Sequence, residues 1–364
     1  MKLLLIADPS SSHTIKWSNY LAQKGIEICV FGLSAFEPGL YKEGIRVESM
    51  KSSKFIQSQK DGSLLKSFYL NAVPKVKKII KDFKPDIIHS HYASSYGLIG
   101  ALTNFHPFVL SIWGNDVFDF PRKTFLHKLI FKFILDKTDY ILATSEVMQK
   151  EAAIYTDKYV EVLPFGVDIE KFIPINKGQK NKNTLYIGLI KSLESHYGIE
   201  YLIKAFKLVK QKELPVDIKL MIIGSGSIGK KLKKLAADLK LQNDIQFIGN
   251  ISNESAPEYH NKLDIEVYLS VKESFGVSVV EALACEKPVV VSNIGGLNEI
   301  VNDGINGFVV ESRDYHSAAG KIIELIQNPG LRIIFGKSGR QKVILKYDFN
   351  KNVNRMFEIY KSLL

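Results

Sequence analysis

The chain has 364 residues, 46% of them hydrophobic, and its 49 lysines and arginines against 38 acids leave a formal charge of +11. That length fits two domains with cores of their own, and with no run of about eighteen apolar residues the sequence excludes a membrane-spanning helix. The charge suits nucleic acid, an anionic membrane surface or a phosphorylated small molecule, and the want of any nucleic-acid module removes the first.

Met1-Lys-Leu-Leu-Leu-Ile-Ala-Asp is too short and too soon acidic for a signal peptide and reads as a first buried strand. Lys2–Ala7, Glu27–Phe31, Asp86–Ser90, Phe108–Ile112 and Tyr140–Ala143 follow as strands, with helices near 13–24, 64–82, 95–104, 122–136 and 145–153, a doubly wound α/β pattern. Segments 75–84 and 125–137 mix apolar and basic positions at helical spacing. Each is either an interfacial helix or, more simply, a sheet-covering helix with a lysine face. The polar stretch 173–183 reads as a linker. Beyond it Leu185–Gly188, Ile218–Ile223, Ile245–Ile248, Ile265–Leu269, Pro288–Val291 and Gly307–Val310 alternate with helical patterns, giving a second Rossmann-like parallel-sheet domain. Cys29 and Cys285 read as buried thiols of a reducing cytoplasm.

The densest stretch is 273–299, Glu-Ser-Phe-Gly-Val-Ser-Val-Val-Glu-Ala-Leu-Ala-Cys-Glu-Lys-Pro-Val-Val-Val-Ser-Asn-Ile-Gly-Gly-Leu-Asn-Glu. It follows a strand-like run ending at Ser270, so Glu273 falls at a strand's carboxyl end, where open α/β sheets bind ligands. Gly276 allows close backbone approach, and the helix beginning beside it favours an anion such as phosphate. Glu281, inside that helix, is repelled by phosphate but suits the paired hydroxyls of a ribose. Glutamate pairs at this spacing are mostly solvated helix faces, so spacing alone does not mark a site. The order strand, Glu, glycine loop, helix, Glu, Pro-initiated strand and Gly295-Gly296 is what makes the segment specific.

This segment resembles the donor-binding motif of the retaining glycosyltransferases of family four. The resemblance implies the GT-B architecture, two Rossmann-like doubly wound domains facing a central cleft. The domains would be 1–166 with a returning C-terminus of about 346–364, a linker at 167–183, and a donor-binding domain at 184–345. It implies a nucleoside-diphosphate sugar as donor, a saccharide or lipid-linked hydroxyl as acceptor, and no cofactor or bound metal. A bacterial surface-polysaccharide or glycolipid precursor is the implied acceptor, and the enzyme would be cytoplasmic with a peripheral membrane contact permitted. By the same resemblance Glu281 holds the ribose, Lys191 the diphosphate, and Glu273 with the amides of Phe275, Gly276 and Val277 the sugar hydroxyls. Ser270 and Gly226 border the donor. Relatives place an Arg and a Lys in the loop 188–199; here Lys191 takes the first place and His196 or Tyr197 stands at the second.

Other positions keep two readings. Gly224-Ser-Gly226-Ser-Ile-Gly229 meets the local form of a dinucleotide fingerprint, yet the next strand ends in Gly249-Asn250 without the expected ribose-binding acid. A tight turn beside the donor is preferred over a nicotinamide enzyme, and a nucleotide-sugar epimerase is the nearer enzymatic rival. His13 lies in the first strand-to-helix loop, where Ser11 or Ser12 also suits a simple N-cap. His89 and His91 share a strand face, without a further ligand set for a metal; one buried and one cleft histidine is the expectation. Trp113 stands where many family-four members carry a histidine, either stacking on a sugar or anchoring the core. An indole accepts no proton, which leaves Asp116 or His91 to position or activate the acceptor.

Overall fold

The computed structural model describes residues 1–53, 63–175 and 183–364. The chain divides into two compact units, Met1–Phe165 with Asn350–Leu364, and Gly166–Phe349. Seven parallel strands build the first: β1 (Lys2–Ile6), β2 (Glu27–Gly32), β3 (Arg46–Ser49), β4 (Ile87–His91), β5 (Phe108–Ile112), β6 (Tyr140–Ala143) and β7 (Val160–Val162), in the order β3-β2-β1-β4-β5-β6-β7. β4 and β5 are buried at every position, as central strands covered on both faces must be. Two strands, β3 and β7, go beyond the sequence reading. They are a four-residue and a three-residue edge strand, too short to show a period.

The helix Ala72–Phe83 buries Ala72, Val76, Ile79 and Phe83 and turns its lysines outward, an ordinary sheet-covering helix. The helix Phe125–Lys137 departs from that reading. It buries Phe131, Ile134 and Leu135 but leaves Phe125, Leu126, Leu129 and Phe133 exposed. The C-terminal helix Phe349–Ser362 completes the first unit. Asn352 Nδ2 donates to the Pro164 carbonyl at 2.8 Å, Arg355 forks onto Glu161 at 2.6 and 2.8 Å, and the Tyr360 hydroxyl lies 2.6 Å from His89 Nδ1. The preceding helix Pro329–Lys346 stays in the second unit.

The second unit carries six parallel strands: β8 (Thr184–Ile190), β9 (Asp217–Ile223), β10 (Ile245–Gly249), β11 (Ile265–Tyr268), β12 (Val289–Ser292) and β13 (Gly307–Val310), ordered β10-β9-β8-β11-β12-β13. The expected linker starts too early, because Val167 already bridges to Asp348 within this unit and Phe172 is buried. Residues 176–182 of that linker lie outside the described residues. In each sheet the order reverses once, between β1 and β4 and between β8 and β11. Loops leaving the carboxyl ends of those pairs diverge and leave a crevice, the usual ligand position in open α/β sheets. The loop after β8 carries Lys191 and His196, and that after β11 carries Ser270 and Glu273. In the first unit the corresponding places hold His13 and His91.

Candidate active site

In the second unit Lys191 directly follows β8, and its Nζ donates to Glu273 Oε2 at 2.6 Å. Both side chains are nearly buried, 12% and 11% exposed, so the pair is shielded from screening far better than a surface bridge. The ammonium also sits 4.2 Å above the Tyr197 ring, and Ser270 Oγ lies 3.4 Å from the same carboxylate oxygen. The two loops are tied by backbone bonds from Val271 and Lys272 N–H to the His196 carbonyl, at 2.8 and 3.2 Å. His196 is only partly covered, and that partial desolvation lowers its pKa despite the opposing charge of Glu273. Its imidazole is therefore neutral near pH 7 and is not a second fixed cation in this state.

The glycines of these loops are required by contact. A Cβ on Gly295 would stand 1.9 Å from the Glu273 carbonyl oxygen, and one on Gly296 would stand 2.7 Å from Phe275 Cα. The Gly-Gly pair thus carries the backbone that presents Glu273. Gly224 and Gly226 pack equally closely on the Lys191 and Leu193 backbone, with Leu193 N–H donating to the Ser225 carbonyl at 2.9 Å. The dinucleotide-like fingerprint is used up in supporting the Lys191 loop. Gly276, at φ +112°, starts the helix Val277–Ala284, whose first residue is Val277; Phe275 before it is buried.

Glu281 in that helix is 21% exposed, and its Oε2 lies 3.5 Å from Nε2 of the fully buried His260. His260 Nδ1 lies 2.8 Å from Oε1 of Glu266, and the Tyr268 hydroxyl donates to Glu266 Oε2 at 2.6 Å. Burial opposes a charge on His260, but Glu266 first and then Glu281 outweigh it, and the imidazole is raised to about 9. Neither His260 nor Glu266 belongs to a motif of the sequence. The available signal was Glu266 itself, a carboxylate inside an apolar strand run, which cannot be buried without a partner.

In the first unit His91 ends β4 and its ring lies 4.5 Å from that of Trp113. His13 stacks on Phe165 at 4.1 Å and meets Trp113 edge-on at 5.8 Å. Trp113, Trp17, His91, Ser111, Phe165 and Met356 are among the residues lining a small pocket there. His89 and His91 are both buried, and of the two it is His91 that lines the pocket. His89 is bonded at both nitrogens, to Tyr360 and to Ser111 Oγ at 2.8 Å, and burial lowers its pKa to about 3. His91 is lowered too, by burial first and then by its histidine neighbours, and its Nδ1 has no partner among the described residues. Asp116 is fully buried. Its oxygens accept N–H bonds from Ala93 at 2.7 Å, Gly114 at 2.7 Å and Trp113 at 3.2 Å. With its lone pairs so engaged it fixes the turn after β5, and the expected part in activating an acceptor does not suit its geometry. Ser11 occupies the cap position before Ser12–Gln23, but its side chain makes no capping bond.

Residues 171–342 match the family described as glycosyl transferases group 1, and residues 2–145 match the glycosyl transferase 4-like family. The chain belongs to the group 1 glycosyltransferases. It is 29% identical over 345 residues to an uncharacterised glycosyltransferase of Methanocaldococcus jannaschii, covering 93% of this chain and 91% of that one. It is 26% identical to the Escherichia coli UDP-Gal:alpha-D-GlcNAc-diphosphoundecaprenol alpha-1,3-galactosyltransferase, over 83% and 81% of the two chains. The solved structure of Anabaena HepE in complex with UDP superposes with a TM-score of 0.82 at 19% identity, over the whole of both chains. The fold is that of the GT-B glycosyltransferases, two parallel-sheet α/β domains.

Within this glycosyltransferase, the second unit gathers Lys191, Ser270 and Glu273 in one cluster and ties His196 to it through the backbone. Glu281 sits on the helix that follows and belongs to a separate buried network. The first unit gathers His13, His91 and Trp113. Neither the nicotinamide nor the epimerase alternative finds support: the fingerprint glycines serve a turn, and the family is one of transferases.

Proposed function

We propose that the protein moves a sugar, with retention of anomeric configuration, from a nucleoside diphosphate to a hydroxyl of a saccharide or lipid-linked acceptor. The observation that carries this reading is the Lys191–Glu273 pair at the switch point of the second sheet, with Glu281 one helix away. Glu273 and the amides of Phe275, Gly276 and Val277 take the sugar hydroxyls. Lys191 turns to the diphosphate and offsets the charge that grows on it as the glycosidic bond breaks. Glu281 takes the ribose hydroxyls. The departing phosphate accepts the acceptor's proton on the same face, which retains configuration and asks no base of Trp113 or Asp116. The resemblance to an enzyme acting on a diphosphoundecaprenol substrate supports a lipid-linked acceptor and a bacterial surface-polysaccharide or glycolipid product. The exposed apolar stripe of the helix Phe125–Lys137 supports peripheral contact with a membrane; among the described residues no helix is long and apolar enough to cross one.

The test is to incubate the protein with UDP-, GDP- and ADP-sugars and undecaprenyl-linked acceptors and to read the new linkage by NMR. An axial donor should give an axial product. An inverted linkage would refute retention, and turnover with no nucleotide sugar would refute the donor class.

A further inference from the structure

Glu266 lies in the middle of β11, hydrogen-bonded between β8 and β12, and is fully buried. A carboxylate there is tolerated only with donors on both oxygens. Tyr268, two residues along on the same strand face, donates to one, and His260 on the helix Ala256–Lys262 supplies the other through Nδ1. Those two contacts give each oxygen of Glu266 a donor. What they leave over is His260 Nε2, buried, without an aligned hydrogen-bond partner among the described residues, and directed at Glu281 from 3.5 Å. A neutral ring with its proton on Nδ1 would turn a lone pair toward that carboxylate; a ring charged by Glu266 turns an N–H toward it.

We infer that His260, held by Glu266, is a positioning residue that fixes Oε2 of Glu281 so that its other oxygen faces the ribose hydroxyls of the donor. The inference rests on the ribose assignment of Glu281 made above. Glu281 is the one carboxylate of the two that reaches solvent, 21% against none for Glu266, so the relay runs from the core outward to the ligand side. Holding Glu281 in one rotamer removes an ordering cost from nucleotide binding. The raised pKa of His260 agrees with a charged ring through the neutral range. The ionisable groups that act on it are Glu266 from β11 and Glu281 from the next helix; Tyr268 and Cys285 act in turn on those two carboxylates, and Lys287 and Arg340 act on Cys285.

Calorimetric titration of the full chain with UDP, ADP and GDP, each beside its 2′,3′-dideoxy form, tests this. Wild type should prefer the ribose form by roughly tenfold or more, the size of one charged hydrogen bond. Glu281→Ala should abolish that preference. His260→Gln should reduce it to within about threefold of none while leaving the dideoxy affinity unchanged, which general loosening of the fold would not do. If His260→Gln fails to fold, the His260→Leu/Glu266→Met/Tyr268→Phe variant removes the three buried polar groups together and should behave alike. The wild-type preference should also fall above about pH 9 and be flat in either variant. The ratio cancels titration of the base. A preference surviving in Glu281→Ala, or no binding of any nucleotide, overturns the ribose assignment. A preference lost in Glu281→Ala but kept in both His260 variants overturns the relay.

Discussion

A lysine that is to hold a diphosphate must be able to meet it, yet Lys191 is already engaged by Glu273 at 2.6 Å. The two charges largely cancel until a ligand separates their tasks, the carboxylate to hydroxyls and the ammonium to phosphate. Removing the ammonium should therefore act twice, leaving the leaving group unsupported and Glu273 without its partner. Lys191→Ala is expected to lower kcat by roughly tenfold to a thousandfold at saturating donor. Wild-type kcat in that variant would remove Lys191 from the chemistry. Glu273 and Glu281 were legible in the sequence because their motif is continuous and its glycines are dictated by local backbone contact. The Lys191–Glu273 pair spans 82 positions, and the His260–Glu266 pair joins a helix to a strand. Neither is a spacing that linear reading can rank. Asp116 was misread for the same reason, since the amides that occupy it come from two loops.

Among the elements, most strands and helices followed from apolar periodicity, and the exceptions are instructive. β3 and β7 were missed as short edges, and the returning helix Phe349–Ser362 was known only through the family resemblance, since its buried face gives no hint of which unit it covers. The helix Phe125–Lys137 was recognised, but which of its apolar residues face the core was not. Phe125 at 75% and Leu129 at 46% exposure lie one turn apart, with Leu126 and Phe133 beside them and Lys128 and Lys132 exposed on the flank. Such a stripe beside basic residues matches the boundary of an anionic bilayer, where apolar burial and lysine attraction add. Phe125→Ser with Leu129→Ser should weaken sedimentation with phosphatidylglycerol vesicles by at least about tenfold, given about 1.5–3 kcal/mol per large apolar side chain buried. Thermal stability should change little, because neither side chain is in the core. Wild-type protein that ignores the vesicles, or a variant that binds them equally, would sink the membrane reading.

At the scale of the molecule, the buried histidines give the two units opposite responses to pH. In the first unit His89 and His91 are held neutral, so below their unfolded pKa of 6.5 the unfolded state binds more protons than the folded one. Stability there is fully present above 6.5 and falls as pH drops, at about 1.4 kcal/mol per pH unit for each proton. In the second unit His260 is held charged up to about 9, so its contribution is fully present below 6.5 and is lost as pH rises from there through about 9. The windows 5–6.5 and 7–8.5 lie above the hydrogen-bonded and ion-paired carboxylates, whose pKa is lowered, and below the unfolded value of 9.0 of the buried thiols. Both tryptophans, Trp17 and Trp113, belong to the first unit. Indole fluorescence therefore reports that unit alone, while far-ultraviolet dichroism reports both. From pH 6.5 to 5 the fluorescence midpoint in urea should move down and separate from the dichroism. From pH 7 to 8.5 the fluorescence midpoint should hold while the remaining dichroism transition moves down. Two probes that coincide at every pH would show one cooperative unit and refute the separation, and a fluorescence midpoint that rises in acid would refute the neutral state of His89 and His91.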